Sequence, residues 1–580
     1  MAATTANNHS KSPTTIYRKT DPPIYNQKQD TMHTITKHSV AFADWYSPET
    51  GIYKSKHKPR NLPTDPFLDV VSFIFSHKHN GISALIDSST GFSISYQELY
   101  PLVKSMASGL HKMGVSQNDV ILLLLPNSIY FPIVFLGVLY LGAIVTTMNP
   151  LCTISEIKKQ AADSCVSLAF TMSEENVKKI EPLGIPVIEV PENVNLPNSS
   201  DFHKLISGNF DLPPKPVIKQ EDTAAILYSS GTTGTSKGVV ISHKNFISII
   251  ELLAKFEASQ YKNPRWENVN LAVLPMFHMY GLSLFVTGLL TLGTTIVVMR
   301  KYDVDEVVKV IDKYKVTHFP VVPPILTAII NRAKGVHESS LQSLKQVCSA
   351  AAILTRKTIE EFVQSLPHVD LIQCYGMTEC GIGTRGFNTD FFRKYSSIGL
   401  LVPNMEAKVV EWNTGSFLPP GNTGELLLRG PPVMKGYLNN EEATKSAIDK
   451  DGWYHSGDIV YFDQDGYLYI CDRLKDVIKY KGFQIAPADL EAVLILHPEI
   501  VDAAVTSALD EVNGEIPVAF VVRKARSVLS QKDVINYVAK QVAPYKKIRK
   551  VVFLDSLPRS ATGKILRRQL RINFSNTSKL

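Results

Sequence analysis

Cysteine is scarce in this chain. Its 580 residues hold six, at Cys152, Cys165, Cys348, Cys374, Cys380 and Cys471. They are scattered, with no zinc-type Cys/His spacing, which excludes a disulfide scaffold and a structural zinc module and fits a reducing compartment. Concentrated charge is missing too. The 61 basic and 54 acidic residues give a net charge of +7 with no basic stripe, so the electrostatic footprint of a nucleic-acid binder is absent. There is no internal repeat and no low-complexity linker. Residues 129–148 are uncharged over about the length that spans a bilayer. That run contains Pro132, Gly137 and Gly142, lacks flanking basic residues and ends in two threonines before Asn149-Pro150. It is expected to be a buried core helix followed by a strand, with no transmembrane segment.

What is present is globular: 44% hydrophobic and 20% charged residues, in a chain long enough for at least two domains. Residues 1–35 are rich in Ser, Thr, Asn and Lys and poor in large apolar side chains, and are expected to be a disordered tail. Beyond them, apolar β-branched runs alternate with helical patterns. Residues 119–124, 294–299 and 316–321 have the continuous apolar texture of strands buried on both faces. After about residue 400, segments 406–410 and 424–429 alternate or pair through turns, as antiparallel strands do. The expected fold class is α/β: a large N-terminal domain over 36–474, made of two α/β subdomains and a β-rich one. A small mobile α+β lid follows over 475–577.

The strongest chemical signal is Leu227-Tyr228-Ser229-Ser230-Gly231-Thr232-Thr233-Gly234-Thr235-Ser236-Lys237-Gly238. Ten residues from Ser229 hold three glycines, six hydroxyls and a lysine between two apolar runs. Glycines let backbone N–H groups converge on an anion, and the hydroxyls and ammonium add donors and charge. This is a phosphate cradle but not a Walker A loop, because Lys237 is preceded by Ser236 and followed by Gly238. Alone, the stretch could also be a polar hairpin. Four further stretches follow it: Gln373-Cys374-Tyr375-Gly376-Met377-Thr378-Glu379, Trp453-Tyr454-His455-Ser456-Gly457-Asp458, the run from Cys471 through Arg473, Lys475, Lys479, Lys481 and Gly482 to Gln484, and Pro558-Arg559-Ser560-Ala561-Thr562-Gly563-Lys564.

In this order and spacing the five stretches resemble the acyl-adenylate-forming, or AMP-binding, superfamily over residues 60–570, closest to plant 4-coumarate–CoA ligases and their peroxisomal relatives. The resemblance implies an acyl-CoA ligase (an acid–thiol ligase) that joins a carboxylic acid to ATP, releases pyrophosphate, and passes the acyl group to coenzyme A. Its implied cofactors are ATP, Mg²⁺ and coenzyme A. By the same resemblance Ser229, Ser230, Gly231, Thr232, Thr233 and Lys237 hold the triphosphate. Gln373, Cys374, Tyr375 and Thr378 close over the adenylate, with the Tyr375 ring on adenine, and Glu379 binds the metal. Asp458 accepts from the ribose hydroxyls, Arg473 contacts ribose, Lys475 is the pivot of the lid, and Gln484 lies near the nucleotide. Lys564 is the adenylation lysine. Lys479 serves the thioester step, and Lys301, Lys481 and Gly482 face coenzyme A. His278, in Pro275-Met276-Phe277-His278-Met279-Tyr280-Gly281, gates the acid site, lined by Tyr280, Ala350, Ala351, Cys374, Ile382 and Gly383.

The family usually has Thr where Ser456 stands, Gly where Ala350 and Cys374 stand, and Pro-Val where Ile382-Gly383 stands. The last three changes alter pocket volume, and a methyl group shifts selectivity by only about 1–3 kcal/mol. A phenylpropanoid-type acid, a medium-chain fatty acid and an oxylipin precursor all stay open as the substrate. So do a luciferase-type oxygenase and an inactive nucleotide-binding relative, although Lys237, Glu379, Asp458, Arg473 and Lys564 are all intact. The chain ends Ser578-Lys579-Leu580, a tripeptide read by the peroxisomal import receptor, so the expected location is the peroxisome.

Overall fold

The structure is a computed structural model. It describes residues 44–192, 200–207, 215–229, 236–259, 265–335, 338–388, 393–480, 483–510, 514–542, 544–560 and 563–571. The expected tail and the terminal tripeptide lie outside these residues.

Four sheets organise the described residues. A seven-stranded sheet runs in the order 436–437, 237–242, 223–229, 144–147, 120–124, 166–171 and 187–189. A nine-stranded sheet runs 400–401, 381–385, 370–377, 346–349, 318–321, 269–272, 295–298, 83–87 and 93–95. Their central pairings are parallel, as in Val120↔Ile144 and Val347↔Leu371. Parallel strands take helical crossovers that cover both faces. The apolar runs become these central strands: Val120–Leu124 is buried throughout, and Thr295–Val298 and His318–Val321 lie deep in the second sheet.

The uncharged run resolves as expected, into helix Phe131–Tyr140 and strand Ile144–Thr147, all buried. Pro132 occupies the first turn, where its missing N–H costs nothing. Among the described residues no helix is long and apolar enough to cross a membrane.

Residues 406–410 and 424–429 pair antiparallel within a six-stranded sheet that continues to Tyr454–Phe462 and Leu468–Arg473. That last strand ends in a turn, Leu474–Asp476, and a fourth sheet begins at Ile478–Tyr480. The segment beyond the turn has its own core, in which Leu490, Leu494, Val505, Ala519 and Val534 are fully buried. Contacts that seat it on the larger body include the Lys357 ammonium donating to the Ile495 carbonyl at 3.3 Å, the Ala488 N–H donating to Asp472 Oδ2 at 2.9 Å, and Gly563 against Pro324 and Val322. Gly563 has φ +77, and a Cβ there would come within 3.1 Å of the Pro324 ring, so a side chain at this position would be strained and crowded.

Candidate active site

Strands Thr223–Ser229 and Lys237–Ser242 form an antiparallel hairpin whose register sets Lys237 opposite Ser229. The cradle's tip, with Ser230, Gly231, Thr232 and Thr233, lies outside the described residues, but its two ends are fixed. The Ser229 hydroxyl donates to Glu379 Oε1 at 2.8 Å, and the Tyr437 hydroxyl donates to the same oxygen at 3.2 Å. Lys237 Nζ sits 4.9 Å above the Tyr437 ring. Glu379 is buried and has no ion pair among the described residues. A buried carboxylate ringed by oxygen donors, with no cation of its own, fits Mg²⁺, which commonly takes one or two carboxylates together with phosphate oxygens.

Strand Asp370–Met377 carries the second stretch into the same place. Tyr375 is buried, and its hydroxyl donates to Asp458 Oδ2 at 2.7 Å. Asp458 Oδ1 accepts from Arg473 Nε at 3.0 Å, because strands 454–462 and 468–473 set Asp458 opposite Arg473. Ser456 holds this carboxylate's backbone: its hydroxyl donates to the Leu426 carbonyl at 2.7 Å and accepts from the Asp458 N–H at 3.1 Å. Thr378 sits half-buried in the turn that follows Met377. Gln373 is placed differently from the expectation, since its side-chain amide donates to the Tyr395 carbonyl at 2.6 Å.

Lys564 comes from the far end of the chain and joins this cluster. Its loop closes on itself: the Ser560 N–H donates to the Lys564 carbonyl at 2.8 Å, and the Lys564 N–H donates to the Ser560 hydroxyl at 3.1 Å. Arg559 clamps the loop, donating to the Gly563 carbonyl and, in a fork, to both oxygens of Asp502 at 3.0 and 2.8 Å. Burial and the nearby Arg473 guanidinium push the Lys564 ammonium down to about 8, and the carboxylates of Asp458 and Glu379 oppose them. Burial, with Lys564 adding to it, lowers His278 to about 4, so its imidazole is neutral at physiological pH. One ammonium is thus felt by residues from the hairpin turn, the antiparallel sheet and the 275–281 loop at once.

Of the residues expected at the acid site, Tyr280 lines a narrow cavity together with Leu284, Phe319, Pro320, Cys348 and Arg385 among others. Its free volume is about 30 Å³, room for a water molecule or two. Ala350 and Ile382 are buried, and Gly383 faces the Tyr375 ring. Ala351 has φ +71, a left-handed conformation uncommon without glycine that tends to mark functional turns. Lys301 is exposed after strand Thr295–Val298, with no bond tying it to the cluster among the described residues. Lys475 lies in the 474–476 turn. Lys479 and Gln484 face each other across a strand pair, and their side chains, like Lys481 and Gly482, lie outside the described residues.

Several participants were not foreseen. Asn127 is buried and clamps the His278 loop: it accepts from the Met276 N–H at 2.8 Å and donates to the Leu274 carbonyl at 3.0 Å. Its only sequence signal was a Pro126-Asn127-Ser128 turn after an apolar strand. Tyr437, Arg385 and Glu257 carried no local signal at all. Segments Ile250–Lys255 and Leu282–Gly288, beside the cavity, are π-helical, a widening common at functional sites.

Two buried carboxylates, a guanidinium and an ammonium thus share one cluster, and comparison with known proteins identifies the family. Residues 75–438 match the AMP-binding enzyme family, and residues 489–564 match the AMP-binding enzyme C-terminal domain. The chain is 59% identical to 4-coumarate–CoA ligase-like 6 of Arabidopsis thaliana over 92% of this chain and 95% of that one. It is 44% identical to peroxisomal OPC-8:0-CoA ligase 1 of the same plant, over 93% and 100% respectively. Its fold superposes on ATP-bound MatB from Rhodopseudomonas palustris with a TM-score of 0.80 at 25% identity, covering 88% of this chain and 99% of that one.

The chain belongs to the AMP-binding enzyme family. Within that family it is an acid–thiol ligase, an acyl-CoA-forming enzyme that uses ATP, Mg²⁺ and coenzyme A on a small carboxylic acid.

Proposed function

We propose that this ligase activates a phenylpropanoid-type acid, with Lys564 as the adenylation lysine and the body over 36–474 carrying the lid over 475–577. One observation supports the assignment above the rest: Lys564, Arg473, Asp458 and Glu379 share one electrostatic neighbourhood although the chain brings them from four separate segments.

A carboxylate cannot acylate a thiol at neutral pH, because the oxide it would expel is too poor a leaving group. Attack of its oxygen on the α-phosphorus of ATP forms a mixed anhydride and releases pyrophosphate. No covalent enzyme intermediate or general base is needed, so catalysis is positioning plus charge stabilisation. In this assignment Asp458 orients the ribose, the cradle and Lys237 hold the departing phosphates, and Glu379 would hold Mg²⁺, which when bound would supply charge neutralisation for them. Lys564 bridges the carboxylate and α-phosphate oxygens, where charge builds only as the bond forms. Neutral His278 stands by the acid without adding a second cation. Rotation about Lys475 then withdraws Lys564 and brings Lys479, Lys481 and Gly482 to the thioester step, with Lys301 offered to a phosphate of coenzyme A.

Tyr280 and Phe319 on the cavity wall suit an aromatic acid. A second reading, an aliphatic oxylipin-precursor acid, is favoured by Leu284, Leu289 and Leu292 on the same wall and by the relative named for OPC-8:0. A panel of hydroxycinnamic, medium-chain and cyclopentyl-alkanoic acids, scored for thioester with ATP, Mg²⁺ and coenzyme A, separates the two. The aromatic assignment predicts at least a tenfold kcat/KM preference for hydroxycinnamates, about 1.4 kcal/mol. A preference for the aliphatic acids refutes it.

Ser578-Lys579-Leu580 supports delivery to the peroxisome by its import receptor. A fluorescent fusion keeping the native C-terminus is expected in peroxisomes, and deletion of those three residues is expected to leave it in the cytosol. Unchanged import after deletion would remove the proposal.

A further inference from the structure

Two thiols meet beside the narrow cavity, and Cys348 lines it. Cys348, on strand Gln346–Ser349, pairs in parallel register with Ile372, so Cys374 two residues further along the neighbouring strand shares its face. Their sulfurs are 3.6 Å apart, and both side chains are buried. The next strand sets Arg385 opposite Cys374, and Arg385 Nη1 lies 3.5 Å from Cys348 Sγ while Nη2 pairs with Glu257 at 2.6 Å. The Tyr280 hydroxyl, from the helical side of the cavity, is 3.6 Å from Cys348 Sγ and 3.9 Å from Cys374 Sγ. One sulfur therefore has a thiol, a phenol and a guanidinium around it and a cavity in front of it.

We propose that Cys348 and Cys374 form a peroxide-sensitive dithiol whose oxidation to a disulfide stops adenylation. The Cys348 thiolate attacks one oxygen of hydrogen peroxide, the O–O bond breaks, and the leaving hydroxide takes up a proton, giving a sulfenic acid and water. The Cys374 sulfur then attacks the Cys348 sulfur. The S–S bond forms, the S–O bond breaks, and the hydroxyl leaves as water with the Cys374 proton. Two thiols are oxidised, and one peroxide becomes two waters.

The hydrogen bond from Cys374 and the Arg385 charge bring the Cys348 thiol down to about 7 despite its burial and the opposing Glu257 charge. Thiolate is the form that reacts. Burial raises Cys380 and Cys152 and pushes Cys471 up to about 12, so those thiols stay protonated. A cavity of about 30 Å³ admits a peroxide and excludes bulkier oxidants. Bond formation draws the sulfurs from 3.6 Å to about 2.05 Å. That movement displaces Cys374, whose chain neighbour Tyr375 holds Asp458.

The loss of function rests on the assignment of this cavity to the acid; the thiol chemistry does not. The full-length enzyme is treated with near-stoichiometric hydrogen peroxide and alkylated. It is then digested without reductant for mass spectrometry, while acid-dependent ATP–pyrophosphate exchange is followed in parallel. The expected result is a Cys348–Cys374 linked peptide lighter by two hydrogens. Exchange falls at least fivefold in step with it, and dithiothreitol restores both. Cys348→Ser, or Cys348→Ala should that variant not fold, is compared with its own untreated sample and keeps most of its exchange. Exposed Cys165 oxidising while Cys348 and Cys374 remain separately alkylated would overturn the proposal. So would an equal fractional loss in the Cys348 variant. If the linked peptide forms at the same rate with and without acid and ATP, the dithiol stands and the cavity's assignment to the acid falls.

Discussion

Lys564→Ala is expected to cut acyl-AMP formation by about 10²–10³-fold in kcat/KM, which corresponds to ~3–4 kcal/mol of transition-state stabilisation. The fold spends several contacts on this one ammonium. Arg559 clamps its loop to Asp502, Gly563 lets the loop lie on Pro324, and Ser560 closes it. Thioester formation from preformed acyl-AMP and coenzyme A is expected to stay within about threefold, because the lysine contributes only while charge builds between carboxylate and phosphate. Its pH dependence follows from its surroundings. A lysine held at about 8, below its ordinary value, carries its charge below that pH and loses it above. In the free enzyme kcat/KM for adenylation should therefore fall as pH rises through about 8, roughly tenfold per unit thereafter. Lys564→Arg, charged at any pH, should run slower with no basic limb. ATP–pyrophosphate exchange on both sides of pH 8 measures the adenylation loss, the basic limb and the Lys564→Arg profile, and thioester release from preformed acyl-AMP measures the other half-reaction. An unchanged exchange rate in Lys564→Ala would remove Lys564 from the chemistry.

How much of this was legible in the sequence depends on how local the information was. Strand Val120–Leu124 and helix Phe131–Tyr140 could be read from composition because burial on every side demands apolar residues at every position. The antiparallel character of 406–410 and 424–429 could be read from alternation and turns, though not that they pair with each other. The site was legible where a stretch carries its own chemistry, as the Ser229–Gly238 cradle does, and through family resemblance where it does not. Nothing near Lys564 distinguishes it from a surface lysine. Its place in the cluster depends on contacts made through Lys357 and Pro324, which link residues far apart in sequence.

Asn127, Tyr437 and the Arg385–Glu257 pair were missed for the same reason. Each is an ordinary residue made special by register. Arg385 reaches the cavity because its strand pairs with Cys374, and Tyr437 reaches Glu379 because Gly436–Tyr437 adds an edge strand beside Lys237–Ser242. Gln373 shows the converse, a residue inside a recognised stretch whose side chain is taken by the Tyr395 carbonyl. Motif membership places a backbone, and packing decides what each side chain on it does.

Asp458→Asn is expected to raise the KM for ATP by about 10²-fold, because this carboxylate holds two partners and is assigned two more. It is almost fully buried and accepts from the Tyr375 hydroxyl on one oxygen and from the Arg473 guanidinium on the other, and the proposed function gives it the ribose hydroxyls as well. An asparagine keeps the shape but can accept on one oxygen only. Its NH₂ must face either the phenol or the guanidinium, and it leaves one donor of the site without an acceptor. A buried hydrogen bond to a charged group contributes about 1.5–3 kcal/mol, which at its upper end is the predicted hundredfold. A second consequence separates this role from simple loss of shape. The Asp458 charge raises the Lys564 ammonium against burial and Arg473. Removing it should move the basic limb of adenylation to lower pH, whereas a purely steric defect would leave the limb in place. Pyrophosphate exchange measured over a range of ATP concentrations, with kcat/KM followed across that limb in the Asn variant, reads both the shift and the KM. An unmoved limb with an unchanged ATP KM would show that Asp458 neither holds the ribose nor communicates with the lysine.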